Sequence, residues 1–163
     1  MATEGLPSLW GTGVRSEWVD HNGHMSVGHF VQAFDNATGA FYETIDIGEE
    51  YRNNTGFSLF AVECHLTYGR EASAGDTVRV TGQIIGYDEK RIHYFLVMHN
   101  ADSGHQLATF EQIALHVELA ARKVVPIPGQ ILERMDEVWV AHKLLPRPPE
   151  VGHVMTLERR SKS

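Results

Sequence analysis

Between positions 14 and 30 the chain reads VRSEWVDHNGHMSVGHF, which sets an acid, an amide, two glycines and three histidines close together. Asp20, Asn22 and Gly23 favour a turn, because short polar side chains bond their own backbone and glycine accepts backbone angles closed to other residues. From Val27 onward, Val27, Phe30, Val31, Phe34, Thr38, Phe41 and Ile45 recur at three- and four-residue spacing, so an amphipathic helix over 27–46 starts directly after the turn. Ser26 is a natural N-cap for it. The first amides of that helix, around Val27 and Gly28, lack intrahelical acceptors and carry the positive end of the helix dipole. A carboxylate is ionised at neutral pH, and beside such amides it is a nucleophile or general base next to a hole for a developing anion. Asn22 and His24 are placed to orient water or to hold the acid. The bare spacing alone favours an ordinary turn leading into a helix, so the chemistry rests on the elements around it.

Those elements follow from hydrophobic period. Residues 1–12 read as a loose lead-in, and Trp18 and Val19 end a short strand. After the helix, 48–56 reads as a connecting stretch. Four strands come next, over 57–68, 77–86, 91–100 and 105–119, each with alternating apolar positions; Tyr87-Asp88-Glu89-Lys90 and Asp102-Ser103-Gly104 are the reversals between the last three. In the first of them Phe60, Val62, Cys64, Leu66 and Tyr68 share one face. The last three at least form an antiparallel meander, and the long early helix is the central element available to cover its apolar face. A second amphipathic helix follows Pro126 and Pro128, carries Leu132, Met135, Val138 and Trp139, and ends before Pro146.

The chain has 163 residues, 42% of them hydrophobic and 21% charged, which fits one globular domain over 1–145 followed by a Pro-rich tail over 146–163, mobile or draped on a neighbour. A formal charge of −7 argues against a nucleic-acid partner, and the basic RRSK cluster near the end reads as solvated tail. No apolar run approaches the ~18 residues of a membrane span, and MATEGLPSLW lacks the basic and apolar regions of a secretion signal, so a cytoplasmic location is expected. Cys64 stands alone, which leaves no disulfide framework and no cysteine-based metal site. His21, His24 and His29 have a spacing that many proteins without metal also show, and no metal is expected.

The string Asp20-His21-Asn22-Gly23-His24-Met25, taken with the element order, resembles the hotdog-fold thioesterases of the 4-hydroxybenzoyl-CoA thioesterase-like branch. The fuller EWVDHNGHMSV is similar to the EW[IV]DxNGHMN string of small thioesterases of carnitine and betaine breakdown, with Ser26 standing for the final Asn and His29 where an aromatic residue is common. The resemblance covers about Val14 to Pro128. It implies an α+β hotdog fold, an antiparallel sheet wrapped around one long central helix, with the C-terminal helix added. It further implies hydrolysis of an acyl-CoA thioester without a cofactor, by a homodimer or homotetramer. Asp20 would attack the thioester or activate water, and the Val27 N–H would hold the carbonyl oxygen. Gly23, Arg70 and Arg91 are candidate contacts for coenzyme A, the arginines toward its phosphates, although surface charge explains both arginines equally well. Glu63 and Asp35 are acids that a neighbouring subunit could lend to the site.

If two or three of Trp18, Phe41, Tyr42 and Tyr68 faced the site, they would suit a trimethylammonium group, and betainyl-CoA or another short polar acyl-CoA would be the substrate. Two other readings compete. A hotdog hydratase or dehydratase carries an Asp-x-Asn-x-x-His spacing one residue longer than Asp20-His21-Asn22-Gly23-His24. A non-catalytic domain would bind the acyl thioester without turnover.

Overall fold

The computed structural model describes residues 6–157. The RRSK cluster lies outside them. Strand β1 (Trp10–Gly13) is followed by a short 3-10 turn at Ser16–Trp18, helix α1 (Val27–Thr44), helix α2 (Glu49–Thr55), strands β2 (Phe57–Tyr68), β3 (Thr77–Tyr87), β4 (Arg91–Asn100), β5 (Gln106–Glu118) and β6 (Lys123–Val124), and helix α3 (Gly129–His142). The strands form one antiparallel sheet in the order β1-β3-β4-β5-β2, with β6 paired to β5. It is the α+β arrangement of a hotdog fold.

Helix α1 lies against this sheet through Phe30, Ala33, Phe34, Ala37, Thr38 and Phe41, all buried. Phe34 stacks on Phe110 of β5 and Phe41 on Tyr94 of β4, with centroids 5.2 and 4.8 Å apart. Burying side chains of this size contributes about 1.5–3 kcal/mol each, so the helix is fixed along its length. Gly82 of β3 lets it come close: a Cβ there would stand 2.8 Å from Leu96 Cδ2 and 3.2 Å from Phe41 Cδ2.

Four sequence expectations are corrected. The lead-in contains β1, whose residues pair with β3 from Trp10↔Val80 to Gly13↔Thr77. The stretch 48–56 holds α2, closed by Gly56 in the left-handed region at φ 74°. A bulge between Ala61 and Glu63 shifts the register of β2 on β5, so Leu59 and Ala61 share a face with Cys64, Leu66 and Tyr68 while Phe60 turns to the other side. The segment after α3 runs back over this chain's own sheet: Gly152 N–H donates to both Glu111 carboxylate oxygens at 3.0 and 2.9 Å, the Gln106 amide donates to Glu150 at 3.2 Å, and His153 stacks on His65.

Candidate active site

The turn that leads into α1 is built by its own polar groups. Val19 and Met25 form a one-pair antiparallel bridge, Asp20 N–H donates to His24 O and Gly23 N–H to Asp20 O, each at 3.0 Å. Gly23 sits at φ 86°, which a side chain would strain. Asn22 N–H donates to Asp20 Oδ1 at 2.8 Å, an Asx turn that orients the carboxylate. Among the described residues Asp20 Oδ2 has no hydrogen-bond partner. The Trp18–Val19 segment is a 3-10 turn and a bridge, where a strand end was expected.

Ser26 occupies the N-cap position, yet its hydroxyl makes no capping bond; Oγ shares a 2.9 Å hydrogen bond with His29 Nδ1 instead. Val27 is the first helical residue, and its N–H and that of Gly28 stand among the amides that no intrahelical carbonyl can reach.

A second segment closes the site from the other side. At the end of β2 the chain turns at Gly69 and Arg70, whose amides both donate to Leu107 O, and Met25 N–H donates to buried Ala72 O at 2.7 Å. That last bond fastens the loop after β2 to the turn before α1. Between them lies an open cleft of about 360 Å³, lined by Asp20, Asn22, His24, Met25, Val27, Phe30, Tyr68, Gly69, Arg70 and Glu71. His24 Nε2 stands 3.6 Å from Glu71 Oε1.

The structure therefore brings Asp20, Asn22, His24, Val27 and Arg70 to one cleft, with Gly23 in the turn that shapes it. Arg91 is not brought there: at the start of β4 its guanidinium meets Asp88 at 2.7 and 2.5 Å, and this bond holds the half-buried Asp88 carboxyl below the usual carboxylate range. Glu63 lies opposite Ile113, on the face away from α1, and Asp35 lines a separate hollow with Asn36, Tyr42 and Arg52. Of the candidate aromatic residues, Tyr68 alone lines the cleft. Phe41 belongs to the core, Tyr42 is half-buried against it and lines the hollow with Asp35, and Trp18 stacks on His29 at 5.4 Å with the Arg15 guanidinium over its ring. Phe30 and Glu71 were not singled out from sequence. Phe30 belongs to the apolar stripe of α1, and Glu71 follows a strand far along the chain that tertiary contact alone brings back.

A family profile described as the thioesterase-like superfamily matches residues 14–135, a span that includes both walls of the cleft. The chain belongs to the thioesterase-like superfamily. Among curated relatives of this superfamily member, a betainyl-CoA thioesterase of Pseudomonas aeruginosa is 38% identical over 90% of this chain and 92% of its own length. An L-carnitine dehydrogenase/betainyl-CoA thioesterase of Rhizobium meliloti is 36% identical over 86% of this chain, and the chain spans 28% of that longer protein. Among solved structures, a Staphylococcus aureus protein determined in complex with CoA superposes with a TM-score of 0.85 at 26% identity, covering 94% of this chain and 97% of that one.

Proposed function

We propose that this acyl-CoA thioesterase acts on betainyl-CoA or a closely similar short, polar acyl-CoA, with Asp20 as the reacting acid. The observation that carries the reading is the pairing in one cleft of an aspartate whose Oδ2 has no bond among the described residues and Val27, the first residue of α1. A thioester needs little help with its leaving group, because a thiolate departs readily at neutral pH. It needs a nucleophile at the carbonyl carbon and a donor for the charge growing on the carbonyl oxygen. Oδ2 either attacks that carbon, forming an anhydride that water then opens, or removes a proton from an attacking water. The Val27 N–H donates to the oxygen as it becomes negative, a contact whose loss generally costs ~10²–10³ in rate. Asn22 holds Asp20 through its backbone N–H, and His24 borders the same wall. Arg70 at the cleft supplies a cation for a phosphate of coenzyme A.

The acyl assignment is supported by the two relatives that bear the betainyl-CoA thioesterase name, and the coenzyme A moiety by the CoA complex of the similar solved structure. The working unit is proposed to be a homodimer or a homotetramer, since β2 ends the sheet with an unpaired edge and exposes Phe60 and Val62. Thiol release from betainyl-CoA, acetyl-CoA, butanoyl-CoA and octanoyl-CoA, followed with a free-thiol reagent, tests the reading. The expected result is release from all that are turned over, with kcat/KM at least ~10-fold higher for betainyl-CoA. Equal values across the series would remove the betainyl assignment. Consumption of an enoyl-CoA without free thiol would replace hydrolysis by hydration.

A further inference from the structure

Resting on the reading that the acyl group is cationic, we propose that Glu71 selects for positive charge on the substrate, acting together with the ring face of Tyr68. Two carboxylates line the cleft, Asp20 and Glu71. Asp20 is committed: Oδ1 accepts the Asn22 amide and Oδ2 is the atom that reacts. Glu71 has a 3.6 Å contact with His24 and a side chain 76% exposed, so its negative charge stands at the cleft wall without being consumed by a buried ion pair.

Tyr68 supplies the second half. Its ring meets buried Phe30 edge to face, with centroids 5.5 Å apart and planes at 85°, which holds it in place while the residue remains 48% exposed. A trimethylammonium group has no N–H to donate, so a protein recognises it by charge and by contact with an aromatic face. An aromatic ring and a carboxylate on one wall meet both needs. Half-buried Trp18, the other candidate aromatic side chain near the turn, is already engaged, since it is stacked on His29 with Arg15 over its ring. Glu71 has a further effect. Arg70, its neighbour in the chain, lines the same cleft and would repel a cationic acyl group. The adjacent negative charge offsets it and leaves the guanidinium to the phosphates.

The test compares betainyl-CoA with 3,3-dimethylbutanoyl-CoA, in which a carbon replaces the quaternary nitrogen, so that the two substrates share a shape and differ by one charge. The readout is the ratio of their kcat/KM values in the wild type, Glu71→Gln and Glu71→Asp, each confirmed as folded by circular dichroism. The wild-type ratio is expected to favour betainyl-CoA, to fall about tenfold in Glu71→Gln and to be largely kept in Glu71→Asp; raising the salt concentration should lower it in the wild type more than in Glu71→Gln. A wild type that does not distinguish the two substrates overturns the cationic-substrate reading itself. A wild type that distinguishes them, with the ratio unchanged in Glu71→Gln, overturns the role of Glu71 and leaves that reading standing. Equal losses on both substrates also overturn it, because they would mean that Glu71 works by positioning His24.

Discussion

Asp20 accepts the Asn22 amide with Oδ1, and this bond decides what a substitution at position 20 tests. Asparagine keeps an acceptor oxygen at the same place, so the Asx turn and the left-handed Gly23 that follows remain compatible with it. What disappears is the negative charge, and with it the capacity to attack a carbonyl or to take a proton from water. Asp20→Asn is therefore a chemical change with little structural content, and turnover should fall at least ~10²-fold, the usual scale for a lost acid or base. These residues were legible because they are neighbours in sequence: a turn signature and a helix start lie within a few positions. Tyr68 and Arg70 are candidates that no local pattern places in this cleft, and Glu71 is not a candidate at all; the Met25 N–H bond to Ala72 O, which fastens their loop to the turn, is a tertiary contact.

At the scale of elements, β2 is the strand on which the proposed assembly depends. It ends the sheet, and the bulge between Ala61 and Glu63 leaves Val62 54% and Phe60 41% exposed. Val62→Asp places a charge on this edge without touching the core, so it should shift a wild-type dimer or larger assembly toward the 18.3 kDa monomer, as read by size-exclusion chromatography with light scattering. A variant that keeps the wild-type mass would locate the interface elsewhere. Strands β3, β4 and β5 and helices α1 and α3 were readable because each repeats its apolar positions over ten residues or more. Helix α2 was not, since EEYRNNT buries none of its residues and owes its end to Gly56. Strand β1 has glycine at two of its four positions, a poor strand signal, and one of them is required by the pairing: a Cβ on Gly11 would stand 2.9 Å from Val78 O. The bulge in β2 was invisible for a related reason, because a single inserted residue leaves the composition of a strand unchanged and only reverses which face each residue takes.

Over the whole molecule, two buried histidines tie outlying elements to the sheet and make its stability depend on pH. His142, at the end of α3, accepts the Ile84 N–H with Nδ1 at 3.0 Å, so it must be neutral there. His116 donates from Nδ1 to Val125 O, which leaves Nε2 to accept the Tyr51 hydroxyl at 2.9 Å and so fixes α2. Burial holds both below the ordinary histidine value of 6.5. As pH falls below about 6.5, the unfolded chain binds protons that the folded chain does not, so this contribution to stability is full above that value and is lost as pH drops through the lowered folded values. Urea unfolding at pH 7.5 and 5.5 should show lower stability at 5.5, and His142→Gln should reduce the difference; an unchanged difference would mean that His142 is not neutral in the folded protein.

The most direct test of the account is thiol release from an acyl-CoA by Asp20→Asn beside the wild type, with both shown to be folded by circular dichroism. A loss of at least ~10² in kcat with the fold retained is the predicted result. Turnover within a few-fold of the wild type would contradict it, because the cleft could then hydrolyse a thioester without the one carboxylate assigned to the reaction.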